Sequence, residues 1–147
     1  MQQGRRLAFD YGDVRIGVAV SDRDSILAAP VDTLLTRSED LWDRIFDLLA
    51  EYEPVHLYVG RPVHLSGNES ESTIKAEAFA HELRERFDLD VTMIDERLST
   101  VSAQRSLREA GRSARESKSA IDQAAAVAIL EMALDLEKSR TKRDLHG

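Results

Sequence analysis

The chain has 147 residues, of which 42% are hydrophobic and 32% charged, with no cysteine and a formal net charge of −7. This balance is typical of a soluble globular protein and excludes disulfides, thiolate metal sites and cysteine nucleophiles. On charge alone a nucleic-acid partner is disfavoured, so any nucleic-acid function must rest on a local basic surface. No stretch approaches the roughly 20 apolar residues of a membrane span, and no signal peptide is recognisable. We therefore expect a cytoplasmic protein without a membrane partner.

The first third of the chain has the pattern of a β-meander. Residues 7–11 form an apolar run, and a turn signal at Gly12 and Asp13 separates it from alternating apolar residues at 15–21. Such runs bounded by turn residues are typical of paired antiparallel strands. Residues 26–30 are expected to add a third strand.

The remainder alternates between helical and extended patterns. Apolar residues at helical spacing or in short runs predict helix 40–52, strand 55–59, helix 73–87, strand 90–94, helix 100–110 and helix 120–137. Residues 112–118 are polar and are expected to be mobile, and residues 138–147 are expected to form a disordered polar tail.

This order of elements predicts an α/β protein. The meander would join parallel strands through right-handed crossovers, giving a mixed five-stranded sheet with helices on both faces. We expect residues 1–137 to form a single domain, with residues 138–147 as its tail.

Three acidic residues in separate segments are the main candidates for chemistry. Asp10 ends the first strand, Glu96 follows the last strand, and Asp122 opens the longest helix. Sites in such sheets form beyond the carboxyl ends of parallel strands, so these side chains are expected to converge. Hard cations such as Mg²⁺ and Mn²⁺ prefer oxygen ligands, and a pair of them can catalyse phosphodiester hydrolysis.

Each of these residues also has a purely structural interpretation. Asp10 stands near Gly12 and would suit a turn. Asp122 lies three residues after Ser119, which matches a capping-box pattern at a helix N-terminus. Against this, a carboxylate that ends a buried strand is costly unless it has a partner, which favours a functional Asp10.

Five sequence blocks carry a family resemblance. They are FDYG at 9–12, IGVA at 16–19, VGRP at 59–62, DERLST at 95–100 and DQAAA at 122–126. Over residues 7–131 the chain resembles the YqgF/RuvX family. The resemblance implies an RNase H-like fold and a metal-dependent nuclease that processes the 5′ end of pre-16S rRNA. The family is also described as a Holliday junction resolvase, which would act on branched DNA.

The resemblance assigns site residues block by block. It implies that Asp10, Glu96 and Asp122 are the catalytic carboxylates and the ligands of Mg²⁺ or Mn²⁺. Residues 95 and 96 point to opposite faces of an extended chain, and the resemblance selects Glu96, leaving Asp95 to pair with Arg97 or a loop amide.

Two departures from the family pattern concern the fourth strand. Arg61 and His64 stand where apolar and amide residues are expected, which would alter the grip on substrate. Related resolvases carry an acid where Val59 and Gly60 stand here, so Glu96 must reach inward from the next strand.

Basic and hydroxyl residues suggest how nucleic acid would bind. Near the metals we expect Arg61, Arg97, Ser99 and Thr100 to contact substrate. A basic segment at 105–118 would neutralise phosphates, above all through Arg108, Arg112 and Arg115. These phosphates would belong to pre-rRNA, alone or within a pre-ribosomal particle, or to branched DNA. A solvated helix face would give the same pattern, and the oligomeric state is left open.

Two other functional classes share part of the pattern. Asp10, Gly12 and Gly17 also match the opening of the actin, Hsp70 and sugar-kinase fold, in which two such domains close on ATP. A chain of 147 residues holds only one such domain, which argues against a self-contained ATPase. A non-catalytic nucleic-acid-binding module is the other alternative, and the three carboxylates argue against it.

Overall fold

The structure is a computed structural model that describes residues 3–62, 70–98 and 115–146. Its strands are β1 (Arg6–Asp10), β2 (Arg15–Ser21), β3 (Ala28–Leu35), β4 (His56–Arg61) and β5 (Val91–Asp95). Its α-helices within these ranges are α1 (Leu41–Tyr52), α2 (Glu71–Phe87) and α3 (Arg115–His146), and a short 3-10 helix (Glu96–Leu98) follows β5.

The five strands form one mixed sheet in the order β3-β2-β1-β4-β5. The pairs β1–β2 and β2–β3 are antiparallel, and β1–β4 and β4–β5 are parallel. This confirms the predicted meander joined to parallel strands. β3 lies further along the chain than expected, because the Asp22 carboxylate accepts the backbone N–H groups of Ile26 and Leu27 and holds them in a turn.

The two faces of the sheet pack against different helices. Along β1, alternate side chains point to opposite faces, so Leu7 and Phe9 meet α1 and α2 while Ala8 meets α3. The α3 side is built mainly from small residues such as Ala19, Ala125 and Ala126. Because small side chains allow a close approach, the helix backbone lies directly on the sheet. Helices on both faces were predicted, and the prediction is confirmed.

Helix α2 begins two residues before the predicted start. Ser70 and Thr73 form a capping box, and the Thr73 hydroxyl donates to the Pro62 carbonyl. With Thr73 occupying the inward position of the first turn, Ile74 points to solvent. The helical spacing of apolar residues within 73–87 predicts Ile74 on the same core face as Phe79; this is wrong for Ile74, whereas Phe79 is buried.

Helix α3 is longer than predicted at both ends. Residues 115–118 and 138–146, expected to be mobile or disordered, are helical. The sequence contains neither Gly nor Pro between Arg115 and His146, and polar composition by itself does not end a helix. The predicted helix 100–110 lies outside the described residues. In the part of the chain that the structure covers, no helix has both the length and the apolar character needed to span a membrane.

Candidate active site

Asp10 occupies the centre of the sheet at the carboxyl end of β1. It is 1% exposed, and its position two residues after Ala8 places its side chain on the α3 face. Across the sheet it pairs with Gly17 of β2. On the other side Phe9 pairs with Val59, so the next pair along these parallel strands is Asp10 and Gly60. Asp10 is therefore flanked on both sides by glycine.

Gly60 provides the space that the Glu96 carboxylate fills. A β-carbon placed on Gly60 would lie 2.7 Å from Glu96 Oε1 and 2.5 Å from Ile129 Cδ1. Glu96 is 3% exposed and belongs to the short helix after β5, yet its carboxylate leans back over β4 toward Asp10. Glu96 therefore reaches inward over β4 from the short helix that follows β5.

Gly17 performs the matching role for Asp122. A β-carbon on Gly17 would lie 2.1 Å from the Asp122 carbonyl oxygen, so helix α3 rests directly on β2 at this point. Gln123 Nε2 donates to Thr33 Oγ1 at 2.9 Å, and Thr33 pairs with Gly17, which fixes the helix over β2 and β3. Asp122 is 2% exposed. All three predicted carboxylates are thus buried at the carboxyl edge of the sheet, on its α3 face.

Arg15 contacts one of these carboxylates directly. Its Nε donates to Asp122 Oδ2 at 2.9 Å, and its side chain is 28% exposed. A buried carboxylate is stabilised by such a charge-assisted hydrogen bond. Arg15 is not among the residues predicted for the site. Its sequence signal is its position on β2 two residues before Gly17, which puts both residues on the same face.

The three carboxylates, those of Asp10, Glu96 and Asp122, lie at the same edge of the sheet, and each has an interaction partner. Among the described residues no three Asp, Glu, His or Cys side chains are grouped as metal ligands. Oxygen donors of this kind suit a hard divalent cation. At Asp122 a cation would share the carboxylate with Arg15 or displace it.

Asp95 turns away from this group, as expected. It accepts the Arg97 backbone N–H at 2.9 Å and the Arg97 Nη2 at 2.6 Å. The hydrogen bonds from the Arg97 guanidinium hold the pKa of Asp95 below its usual value. Asp95 is therefore tied to its own loop, whereas Glu96 is buried over the sheet.

The predicted substrate contacts are described only in part. Arg61 ends β4 and Arg97 follows β5, so the two residues lie at the same edge of the sheet. The Arg61 Nε donates to Glu77 Oε1 at 3.1 Å. Residue Arg115 is the first of α3, and its side chain lies outside the described part. The other predicted contacts also fall outside the described residues: Ser99, Thr100, Arg108, Arg112 and His64.

A second buried polar cluster lies on the same face at the opposite end of β1. Arg6 bonds the Glu137 carboxylate through Nε at 3.1 Å and Nη2 at 3.0 Å, and its Nη1 reaches Ser25 Oγ at 3.0 Å. The Tyr58 hydroxyl donates to Glu137 Oε2 at 2.6 Å. Burial alone would raise the pKa of Glu137, but the hydrogen bonds from Arg6 and Tyr58 lower it. We call this set the Arg6 cluster.

Comparison with known proteins identifies the family. The model of the RuvX family, described as "Holliday junction resolvase", matches residues 4–136. A Streptomyces avermitilis protein named "Putative pre-16S rRNA nuclease" is 46% identical over 149 residues, covering 100% of this chain and 96% of its own length. A Rhodococcus opacus protein of the same name is 50% identical over 145 residues, covering 95% and 81%.

A solved structure, "T. thermophilus RuvC in complex with Holliday junction substrate", matches with a TM-score of 0.56. It covers 91% of this chain and 96% of that one at 12% identity, which shows the fold alone. This confirms the RNase H-like fold expected from the sequence. The family match over nearly the whole chain and the relatives at 46–50% identity show that the protein belongs to the RuvX/YqgF family.

Proposed function

We propose that the protein is a divalent-metal-dependent nuclease that hydrolyses phosphodiester bonds in the 5′-end processing of pre-16S rRNA. The observation that carries the proposal is that Asp10 lies between Gly17 and Gly60 in the sheet. Asp122 packs against Gly17 on one side of it, and Glu96 packs against Gly60 on the other. Buried acidic residues are costly, so their concentration at one sheet edge favours a cation-binding role. The names of the relatives supply the substrate class.

The three carboxylates have distinct roles in this proposal. Asp10 is the central ligand of Mg²⁺ or Mn²⁺, and Glu96 and Asp122 are the flanking ligands. When bound, a pair of such ions would supply activation of the attacking water and stabilisation of the leaving oxygen. The glycines on either side of Asp10 keep the flanking groups close to it.

Substrate would approach from the carboxyl edge of the sheet. Arg61 and Arg97 lie there and would contact phosphates beside the scissile bond, as would Ser99 and Thr100. The basic residues Arg108, Arg112 and Arg115 would bind phosphates further away, because their segment joins Glu96 to Asp122 along the chain. Arg115 begins α3 seven residues before Asp122, about 10 Å along the helix. With a net charge of −7, binding should require low salt and a divalent ion. Such a substrate implies action in the cytoplasm, within pre-ribosomal particles.

The alternative function is cleavage of branched DNA. It is favoured by the description of the family model and by the fold shared with a junction-bound resolvase. The two functions use the same carboxylates and differ in the nucleic acid that the basic residues accept.

One experiment tests both. The purified protein is incubated in parallel with precursor 16S rRNA and with a four-way DNA junction, in Mg²⁺, Mn²⁺ or EDTA. We expect metal-dependent shortening of the rRNA 5′ end and no resolution of the junction. If only the junction is cut, and only with metal, the proposed substrate becomes branched DNA and not pre-16S rRNA. Absence of cleavage of both substrates in either metal would contradict the nuclease.

A further inference from the structure

Arg15 holds the Asp122 carboxylate that the proposed function assigns to a metal. The two side chains meet through a single hydrogen bond, Nε to Oδ2 at 2.9 Å. The Asp122 carbonyl lies against Gly17, so the helix backbone packs closely on β2 at this point. The Arg15 side chain is therefore the adjustable partner of this pair.

The position of Arg15 gives its side chain a route outward. It begins β2 two residues before Gly17, which pairs with Asp10, so it lies beyond Asp10 toward the rim of the sheet. Its side chain is 28% exposed. Among the described residues the guanidinium has no other recorded hydrogen-bond partner than Asp122, so its two terminal amino groups can bond elsewhere.

We propose that Arg15 is a positioning residue that occupies Asp122 in the metal-free protein and is released to a substrate phosphate when a divalent cation binds. The inference rests on the proposed function. A guanidinium and a divalent ion on one buried carboxylate repel each other strongly at low dielectric. An arginine released at the rim is suited to bidentate contact with phosphate.

This arrangement would couple the two binding events. In the metal-free protein the Arg15 bond competes with the cation and also withholds the guanidinium from nucleic acid. The metal frees Arg15 and thereby strengthens substrate binding, and by linkage substrate strengthens metal binding equally. Removing Arg15 should therefore strengthen binding of the cation and weaken binding of nucleic acid. Loss of a merely structural contact would not have these opposite effects.

The test compares the wild type with Arg15→Gln. Calorimetric titration with Mn²⁺, without nucleic acid, should show roughly three- to tenfold tighter binding by the variant, since it removes a partly exposed competing charge. At saturating Mn²⁺, the KM for precursor rRNA should rise roughly tenfold while kcat changes little, because one charged phosphate contact is lost. Arg15→Lys keeps the charge and should restore most of the wild-type Mn²⁺ affinity.

Arg44→Gln is the matched control. It removes another arginine–carboxylate pair, Arg44 to Asp32 at 2.6 Å, and Arg44 belongs to α1, on the other face of the sheet. It should leave both the Mn²⁺ affinity and KM unchanged.

The outcomes separate the two proposals. Mn²⁺ binding by Arg15→Gln that equals or falls below that of the wild type overturns the competition. Tighter Mn²⁺ binding with unchanged KM overturns the transfer of Arg15 to substrate. Failure of the wild type itself to bind Mn²⁺ overturns the metal site and the role of Arg15 together.

Discussion

Two buried polar clusters on one face of the sheet differ in how their charge is balanced. Arg6 and Asp10 lie on β1 with Ala8 between them, and both point toward α3. In the Arg6 cluster the guanidinium meets the Glu137 carboxylate with two hydrogen bonds, and Tyr58 adds a third to that carboxylate. In the candidate active site three buried carboxylates lie at the carboxyl edge of the sheet, and Arg15 reaches one of them, Asp122, through a single bond.

The difference distinguishes a structural cluster from the proposed metal site. A buried ion pair with several hydrogen bonds is largely satisfied from within, and removing either partner leaves an uncompensated charge. Acidic groups placed at one strand end are instead candidates for binding a cation from outside. We therefore expect substitutions in the Arg6 cluster to reduce stability and substitutions in the candidate site to reduce activity.

The largest expected effect is that of Asp10→Asn on cleavage. Loss of the central carboxylate should reduce kcat by at least about a thousandfold, because both metal binding and the positioning of water depend on it. The variant should remain folded and have the same or a slightly higher melting temperature in EDTA, since one anion among three is removed. Glu96→Gln and Asp122→Asn should also lose most activity.

Asp95→Asn is the control, because Asp95 is bound to Arg97 and faces away from the carboxylates. It should retain most of the wild-type kcat. Wild-type turnover by Asp10→Asn would show that the catalytic assignment is wrong.

Glu137→Gln should have the largest effect on stability. It leaves the buried Arg6 guanidinium without its counterion, which costs about 3–5 kcal/mol of the free energy of unfolding. Urea denaturation measures this loss, and kcat of the folded enzyme should be unchanged. Glu82→Gln breaks an exposed pair with Arg86 and should cost less than about 1 kcal/mol. Equal losses in the two variants would remove the distinction between buried and exposed pairs.

Alanine substitutions at the two glycines that flank Asp10 should differ in their effects on stability and on activity. In Gly17→Ala the new methyl meets the Asp122 backbone, which cannot yield, so we expect about 1–3 kcal/mol of destabilisation together with loss of activity. In Gly60→Ala it meets the ends of the Glu96 and Ile129 side chains, which can turn aside. Activity should then fall with a smaller loss of stability, as thermal unfolding and cleavage assays would reveal. A reversed order of stabilities would contradict the close contact at Gly17.

The smallest effect concerns acid stability at the Arg6 end of the sheet. Burial lowers the pKa of His56 below 6.5, and hydrogen bonds lower that of Glu137 below 4.5 despite its burial. In both cases the unfolded chain binds protons more readily, so stability falls as pH decreases. The loss of stability due to His56 should begin as pH drops below about 6.5, and the loss due to Glu137 should begin below about 4.5.

His56→Gln should flatten the decline between neutral pH and about pH 5, in unfolding measured across pH. The exposed His81 provides the control, and His81→Gln should leave the profile unchanged. An identical decline in wild type and His56→Gln would show that another group titrates.

The sequence by itself determined the order of strands and helices, the mixed sheet and the family. These depend on local periodicity and on motifs such as DERLST, which are visible along the chain. It also distinguished Asp95 from Glu96, through the family resemblance. It misjudged the ends of α3, because polar residues favour helix and disordered tail alike when packing is unknown.

Only the tertiary structure decided which residues meet across the sheet. That Gly17 and Gly60 flank Asp10 depends on strand register, which joins positions far apart in sequence. Arg15 with Asp122 and Arg6 with Glu137 are separated by 107 and 131 residues, respectively. No local pattern encodes such contacts, because they arise when a helix from the end of the chain packs onto strands from its beginning.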